Sequence, residues 1–190
     1  MKKKIVKAAR SRAAFQALET VKAKCSAQRK AGPAGPLACE LRVRPYREKD
    51  FKALAAVWLA GGITLDDSDS AAALERNLDR AGYRIFVGEA QRIDSKRNLP
   101  VGKPRVAGGA ITTFDGHRAY IYHLAVHRDF RGLGLGRALL EACERQAQHW
   151  GASHLRLSCK IDGSREIACH LYASANWSRD DGISTYRKTL

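Results

Sequence analysis

The feature that most constrains this chain is a run of closely spaced glycines, Arg131-Gly-Leu-Gly-Leu-Gly-Arg137, which follows a strand pattern and opens a helix pattern. A strand that turns into a helix in this way presents several backbone N–H groups and the positive end of the helix dipole to one point in space. Glycine is needed because a Cβ would keep a phosphate away from the backbone, and because some positions can require a positive φ. The run therefore predicts an anion site, with the charges of Arg128, Arg131 and Arg137 beside it.

Two widespread phosphate-binding motifs do not fit this run. A Walker loop needs Gly-Lys-Ser/Thr after its last glycine, but Gly136 is followed by Arg-Ala, so the magnesium ligand is missing. A dinucleotide fingerprint starting at Gly132 would need a small residue where Arg137 stands, and it should follow the first strand of a parallel unit. Here the preceding strand, 117–126, is the second arm of a hairpin, because Asp115-Gly116 predicts a two-residue type I′ turn.

Periodicity and turn residues predict an α+β domain around the glycine run. The predicted elements are a strand at 41–44, helices from Asp50 to Gly61 and over 71–81, strands at 83–90, 105–114 and 117–126, a helix opened by the glycine run and ended by Gly151, a strand at 154–159, a helix over 164–175, and one or two short strands within 177–190. Residues 91–104 are predicted as a polar loop. This order predicts a mixed, mostly antiparallel twisted sheet flanked by helices.

The loop between the first two helices is acidic and offers two interpretations. Asp69 is favoured as a helix N-cap, whereas Asp66 and Asp67 are left open as groups that could attract a cationic amine. Trp58 is predicted to lie in the core.

The net charge of +15 is typical of a nucleic-acid-binding protein, but the excess of basic residues is not spread evenly along the chain. Residues 1–35 hold ten Lys or Arg against the single acid Glu19, which leaves +6 for residues 36–190. A Pro/Gly stretch, 31–36, reads as a linker. We therefore predict a basic, disordered tail and linker over 1–39 and one domain over 40–190.

The composition argues against a membrane-spanning protein, a disulfide-stabilised scaffold and a metal-binding protein. No apolar stretch approaches the ~18 residues of a membrane-spanning helix, so a cytoplasmic protein is predicted. The five cysteines are odd in number, widely spaced and without a Cys-x-x-Cys pair, which predicts neither a disulfide scaffold nor a metal site.

Beyond the glycine run, several segments resemble the GNAT superfamily, the acetyl-CoA-dependent N-acyltransferases. Arg131-x-x-Gly134-x-Gly136 is similar to the family's Q/R-x-x-G-x-G/A motif, in which the turn grips the cofactor's pyrophosphate. The segment 115–126, DGHRAYIYHLAV, resembles the DGHRGWIYHLAV segment of a subgroup of small bacterial GNAT acetyltransferases. Leu171-Tyr172 with Asn176-Trp177 resembles their FY...LGY ending, and the resemblance covers about residues 41–190.

Two positions depart from that pattern. Arg165 stands where the family often has Asn, which puts one cofactor contact in doubt. Asn176 replaces the Gly of LGY, and Asn is the non-glycine residue best able to adopt the left-handed conformation after a helix.

The resemblance implies a GNAT-like fold in which two central strands part and the pantetheine arm of acetyl-CoA enters between them, bonding the backbone of Leu124 and Val126. The other residues implied to hold the cofactor are Arg131, Gly132, Leu133, Gly134, Gly136 and Arg137. Tyr172 is implied as the general acid for the leaving thiolate. A phenol with pKa near ~10 can protonate a thiolate whose conjugate acid lies near ~8.5. The other interpretation of Tyr172 is a core aromatic.

A general base is harder to place, because 119–126 contains no acid. His123 lies there and is the candidate, since imidazole titrates in a suitable range. Strict alternation places it on the face opposite Tyr122 and Leu124 unless a β-bulge re-aims it, which favours a structural role. An ordered water or a Glu from another element are the alternatives.

We predict an N-acetyltransferase that moves acetyl from acetyl-CoA to a primary amine by direct attack, with no metal and no covalent enzyme intermediate. The expected partners are acetyl-CoA and an amine acceptor, either protein or small molecule; no membrane is expected, and nucleic acid binding through the tail is not favoured. The competing hypothesis is a non-catalytic or regulatory GNAT-fold protein whose basic tail binds nucleic acid. The sequence leaves the acceptor open.

Overall fold

The computed structural model of the protein describes residues 21–25, 38–94, 96–159 and 166–182. The chain divides into two compact units, residues 1–157 and 158–190. Within the described ranges, no helix is both long enough and apolar enough to cross a membrane.

The first unit is built on one six-stranded sheet. Its strands are β1 (Val21–Cys25), β2 (Ala38–Pro45), β3 (Tyr83–Asp94), β4 (Leu99–Phe114), β5 (Ala119–Val126) and β6 (Leu155–Leu157). Its helices are α1 (Phe51–Ala60), α2 (Ala71–Leu78) and α3 (Leu135–His149), with short 3₁₀ turns at Glu48–Asp50, Asp67–Asp69 and Arg128–Phe130. The strands lie in chain order, and all neighbours pair antiparallel except β5 and β6, which are parallel. The predicted α+β class with a mixed, mostly antiparallel sheet is confirmed.

Helices cover both faces of the sheet. Gly109 lies against Leu54 of α1, whereas the adjacent Gly108 lies against Leu139 of α3. Because successive strand residues point to opposite faces, α1 and α3 lie on opposite sides of β4. On the α1 side, Leu54 and Trp58 are fully buried in a core cluster with Ile85 of β3. The helix predicted after Asp50 and the core position of Trp58 are confirmed.

Two predicted connections differ in the structure. Residues 91–104 are mostly strand rather than loop, because β3 and β4 continue as exposed arms of a long hairpin that the backbone ladder holds together. The turn after β4 is shifted by one residue: the Asp115 N–H bonds the Arg118 carbonyl at 3.3 Å, so Gly116 and His117 are its central residues. Only Gly116 has positive φ, +93°, as in a type II′ rather than a type I′ turn. The Asp115 carboxylate stabilises this arrangement by accepting the His117 and Arg118 N–H groups.

The amino-terminal segment also differs from the prediction. Val21–Cys25, within the expected disordered tail, forms the edge strand β1 beside β2, and β2 begins at Ala38, before the predicted domain boundary. The edge of β2 offers unpaired backbone groups, and the alternating sequence of 21–25 is suited to pair with them. The rest of the predicted tail lies outside the described residues.

The second unit contains α4 (Glu166–Ser174) among its described residues. This agrees with the helix predicted over 164–175, whose first residues lie outside the described ranges. Asn176 has φ of +62°, which confirms its expected left-handed conformation after the helix. The short strands predicted within 177–190 do not occur in 177–182, and 183–190 lies outside the described residues.

Gly82, which precedes β3, provides a stability prediction. It has φ of +81°, and a Cβ there would collide with the Phe114 carbonyl oxygen. Gly116 is a matched control because it has φ of +93° with no described atom within 4 Å of a built Cβ. We expect Gly116→Ala to cost only the left-handed strain, about 1 to 2 kcal/mol, and Gly82→Ala to cost about 3 kcal/mol or more. Urea unfolding measures both, and equal losses would show that the Phe114 contact does not matter.

Candidate active site

The turn between β5 and α3 has the backbone conformation that its glycines predict. Gly132 and Gly134 have φ of +74° and +92°, and Gly134 is the N-cap of α3. Leu133 and Leu135 alternate with them and are buried, with 5% and 1% of their surface exposed. Two buried leucines therefore anchor the turn, while the left-handed glycines direct its backbone outward.

Five consecutive backbone N–H groups of this turn, those of residues 132–136, have no hydrogen-bond acceptor in the part of the chain that the structure describes. The first intrahelical bond of α3 runs from Ala138 N–H to the Gly134 carbonyl. Unpaired donors and the positive end of a 15-residue helix thus converge at this position. Such an arrangement suits an anion, and the anion site that the glycine run indicates stays a prediction.

Arg131 connects the turn to the end of β5. Its Nε donates to the Val126 carbonyl at 2.9 Å, so part of the guanidinium positions the turn. Arg137 is exposed at the start of α3. Any contact of either arginine with a ligand stays a prediction.

The backbone of Val126 faces away from β4. The next residue, His127, donates its N–H to Ala107 of β4 at 2.8 Å. Since backbone groups alternate along a strand, those of Val126 point to the side where β6 lies. There β5 pairs with β6 only through Ala119, Tyr120 and Ile121. The second half of β5 therefore extends past its partner, as expected for two strands that part beside the glycine turn.

A β-bulge interrupts β5 at His123. Tyr122 pairs with Ile111 and Ala125 pairs with Gly109, so β5 has two residues, His123 and Leu124, opposite the single Ala110. His123 has φ of +54°, which places the extra residue in the left-handed region. The expectation that His123 points away from Tyr122 is therefore wrong, because it assumed uninterrupted alternation.

The bulge turns His123 toward α1 and the loop that precedes α2. Its ring lies edge-on to Trp58, with ring centroids 5.1 Å apart. Its Nε2 is 2.7 Å from Oδ1 of Asp69, which is buried. A carboxylate can only accept, so Nε2 carries the proton of the neutral ring and Nδ1 keeps the free lone pair. This leaves Nδ1 able to take up a proton.

Asp69 does not cap α2 as the sequence suggests. Ser70 is the N-cap, and its hydroxyl accepts the Ala73 N–H at 3.3 Å. The second oxygen of Asp69 accepts the Asp66 N–H at 3.1 Å, which fixes the carboxylate toward His123. Asp66 caps the preceding 3₁₀ turn, and hydrogen bonds from Ser68 hold the pKa of its carboxyl below the ordinary value. Sequence reasoning missed Asp69 as a partner of His123 because they are 54 residues apart.

Tyr172 is the implied general acid, and Cys143 carries a thiol. Tyr172, in α4 of the second unit, is half-buried, and its ring centroid is 6.1 Å from that of Trp177. Cys143 of α3 is fully buried, which raises the pKa of its thiol to about 12. A thiol that stays protonated at neutral pH is a poor nucleophile.

Comparisons by sequence and by structure both match this chain to acetyltransferases. A sequence model described as the acetyltransferase (GNAT) family matches residues 63–177. An acetyltransferase of Pectobacterium atrosepticum is 25% identical over 150 residues, covering 79% of this chain and 96% of the relative. A putative acetyltransferase from Agrobacterium tumefaciens superposes with a TM-score of 0.58 at 15% identity, covering 77% of this chain and 99% of the other. The aminoglycoside N-acetyltransferase AAC(6')-Iy, solved in complex with CoA, superposes with a TM-score of 0.56 at 16% identity, covering 84% and 100%.

Proposed function

The chain belongs to the acetyltransferase (GNAT) family, and we propose that it transfers the acetyl group of acetyl-CoA to a primary amine by direct attack of the amine nitrogen. The curated relatives are acetyltransferases, and a solved structural neighbour is an aminoglycoside N-acetyltransferase in complex with CoA. The observation that carries the proposal is the turn between β5 and α3, whose five unpaired N–H groups suit the pyrophosphate of acetyl-CoA.

The cofactor residues follow from this placement. The backbone N–H groups of Gly132, Leu133, Gly134 and Gly136 bind the pyrophosphate, while Arg131 holds the turn and Arg137 adds charge at its rim. The backbone of Leu124 and Val126, on the part of β5 beyond the β6 pairing, bonds the pantetheine arm as an added strand would. The amides of the arm thus take the place of the missing strand partner.

His123 is the general base of the proposed reaction. Its Nδ1 accepts a proton from the attacking amine as the C–N bond forms, and Asp69 stabilises the resulting imidazolium through Nε2. The bulge supports this role because a histidine held in left-handed backbone, with one nitrogen already bonded to a buried carboxylate, has a fixed ring orientation.

Tyr172 is the proposed general acid. As the C–S bond breaks, its hydroxyl gives a proton to the CoA thiolate, so one proton is taken from the amine and one is returned to sulfur. The proposal rests on its place in α4 beside the left-handed Asn176, which matches the ending of the family pattern.

Gly136 offers the cleanest test of cofactor binding. Gly134 has positive φ, so any side chain there would strain the backbone, whereas Gly136 lies inside α3 without positive φ. We expect Gly136→Val to weaken acetyl-CoA binding at least tenfold, about 1.4 kcal/mol, because its branched side chain covers the N–H donors. The control is Gly136→Ala, which the G/A position of the motif accepts and which should bind nearly as the parent does. Calorimetry with acetyl-CoA measures the affinity of both variants. Equal affinity of the valine variant and the parent would show that this turn does not bind the cofactor.

A further inference from the structure

The outer part of the β3–β4 hairpin carries most of the excess charge that lies outside the amino-terminal segment. Residues 91–105, which we call the basic arm, hold five Lys or Arg against the single acid Asp94, a balance of +4. The whole of 36–190 carries +6. The five cations of the arm are Arg92, Lys96, Arg97, Lys103 and Arg105. None of the steps proposed above uses the arm.

The five cations of the basic arm are exposed and are not neutralised by ion pairs. All five side chains lie at the surface, and among the described residues no carboxylate is within ion-pair distance of any of them. Oδ1 of Asp94 accepts the backbone N–H groups of Lys96 and Arg97 at 2.8 and 3.2 Å, so this carboxylate stabilises the turn of the hairpin. The arm therefore presents a surface of net positive charge.

A bulge in β4 shapes the middle of the arm. Gln91 of β3 lies opposite three residues of β4, 102–104, because the register shifts there. Gly102 has φ of +74°, and the Gln91 amide donates to the Gly102 carbonyl at 3.0 Å. Lys103 is the middle residue of this bulge. Bulges at the edge of a sheet commonly re-aim a side chain, and here the residue affected is a lysine.

The two arginines of the arm share one face of the sheet. Strand β3 pairs with β2 without interruption, so alternate residues of β3 keep to one face. Gly88 lies against Leu135 of α3, and Arg92 follows it by four residues. Arg105 pairs with Ala90, which lies between these two positions. Arg92 and Arg105 therefore continue, beyond the start of α3, the face that this helix covers.

The sheet brings a second basic segment beside the arm. Cys25 of β1 pairs with Cys39 of β2, and Cys39 pairs in turn with Arg92. Strand β1 belongs to residues 1–35, which hold ten Lys or Arg against one acid. Two strand spacings, roughly 10 Å, thus separate β1 from the base of the arm. The two most basic segments of the chain meet at the same end of the sheet.

We propose that the basic arm binds double-stranded nucleic acid through its phosphate backbone, as a function separate from acetyl transfer. Lysine and arginine contacts with phosphates provide affinity that does not depend on base sequence. The four residue steps from Ala90 to Asp94 span about 13 Å, and the major groove of B-form DNA, about 12 Å wide, admits a two-stranded ribbon. The arm contains no aromatic residue on which unpaired bases stack, which favours a duplex over a single strand.

Two other anionic partners fit the arm less well. The end of the hairpin, 96–98, is Lys-Arg-Asn, which is too polar to enter the hydrocarbon core of a membrane. The exposed apolar residues Leu99 and Val101 lie behind this end, on the side of one strand. An acidic protein surface carries cations among its carboxylates, whereas a duplex offers one phosphate charge per ~1.7 Å of its axis and no cation. The one-sided charge of the arm therefore matches the duplex.

The test measures binding of the full chain to a fluorescently labelled, mixed-sequence DNA duplex of about 20 base pairs, by anisotropy at several salt concentrations. The arm variant combines Lys96→Gln, Arg97→Gln and Lys103→Gln. We expect this variant to bind the duplex at least tenfold more weakly than the parent. The slope of log K against log salt should become about three units shallower, roughly one for each cation removed.

The matched control removes the same charge from the other face of the sheet. It combines Lys49→Gln, Lys52→Gln and Arg76→Gln, at exposed positions in or beside α1 and α2. We expect the control to bind the duplex within about twofold of the parent, because its cations lie away from the arm. Both variants should acetylate an amine at the parental rate, which also reports that they are folded. Equal losses of duplex affinity in the two variants would show that net charge, and not the arm, drives binding.

Two further outcomes would overturn the proposal. The first is that the parent does not bind the duplex at low salt. The second is that polyglutamate, or vesicles of phosphatidylcholine with phosphatidylglycerol, binds as tightly as the duplex and with the same dependence on the arm. The arm would then be a surface for an acidic protein or a membrane. Failure of acetyl transfer would leave these binding results unchanged, so the two proposals fail separately.

Discussion

Replacing His123 by glutamine should lower kcat about a hundredfold while leaving acetyl-CoA affinity unchanged. Glutamine retains a group that can hydrogen-bond Asp69 but cannot accept the proton of the attacking amine, so only the base function is removed. General base catalysis is typically worth 10² to 10⁴-fold. Steady-state kinetics with a good amine acceptor measures the fall in kcat, and calorimetry with acetyl-CoA measures the affinity.

Asp69→Asn tests whether the carboxylate acts through His123. An amide can donate to Nε2, which would move the ring proton to Nδ1 and leave no lone pair toward the amine. We expect a tenfold to hundredfold fall in kcat with little change in KM. The double variant with His123→Gln should have nearly the same kcat as His123→Gln alone, because both changes remove one function. His154→Gln, an exposed histidine in the same unit, is the control. Full activity of the Asp69→Asn enzyme, or a loss of kcat that only parallels a loss of folded protein, would leave Asp69 a structural residue.

The glycine turn could be predicted from the sequence because its physics is local. Left-handed conformations at Gly132 and Gly134, buried leucines between them and the start of α3 all follow from residues within one short segment. The left-handed Asn176 is predictable for the same reason, because the preference belongs to the residue and to the end of its own helix.

The bulge at His123 could not be predicted in this way. Alternation fixes which side a residue faces only if both strands contribute equal numbers of residues, and the extra residue appears only when β4 and β5 pair. One signal was available: histidine adopts the left-handed region more readily than most residues. That preference is too weak to outweigh a regular strand pattern such as 119–126.

The role of Asp69 could not be predicted either, because it depends on a contact between residues far apart in the sequence. Next to Ser70 it looks like a helix cap, and the sequence cannot show which of two adjacent oxygens the helix uses. The structure gives the cap to Ser70 and leaves Asp69 for His123, a contact across 54 residues. The long hairpin of β3 and β4 was missed for a related reason: its exposed arms pair through the backbone, which the hydrophobic pattern does not report.

Replacing Tyr172 by phenylalanine should lower kcat roughly a hundredfold with acetyl-CoA affinity little changed. The substitution removes one hydroxyl and keeps the ring, so the packing of Tyr172 against Trp177 is preserved while the leaving thiolate loses its proton donor. The high-pH limb of the kcat profile should be lost, because it would report ionisation of the acid. Kinetics across pH and calorimetry with acetyl-CoA measure these effects.

Tyr46→Phe is the matched control for this change. Tyr46 is buried in the core of the first unit, where burial raises its pKa to about 12, and its hydroxyl makes only a long contact of 3.4 Å with the Glu48 carbonyl. Loss of that hydroxyl should leave kcat within about twofold of the parent value. A hydrogen bond of this kind contributes roughly 1 kcal/mol to the free energy of unfolding and nothing to the chemical step. If Tyr172→Phe behaves like Tyr46→Phe, the acid role of Tyr172 is wrong. Loss of the low-pH limb instead of the high-pH limb would mean that Tyr172 acts on the amine, and that the roles assigned to Tyr172 and His123 must be exchanged.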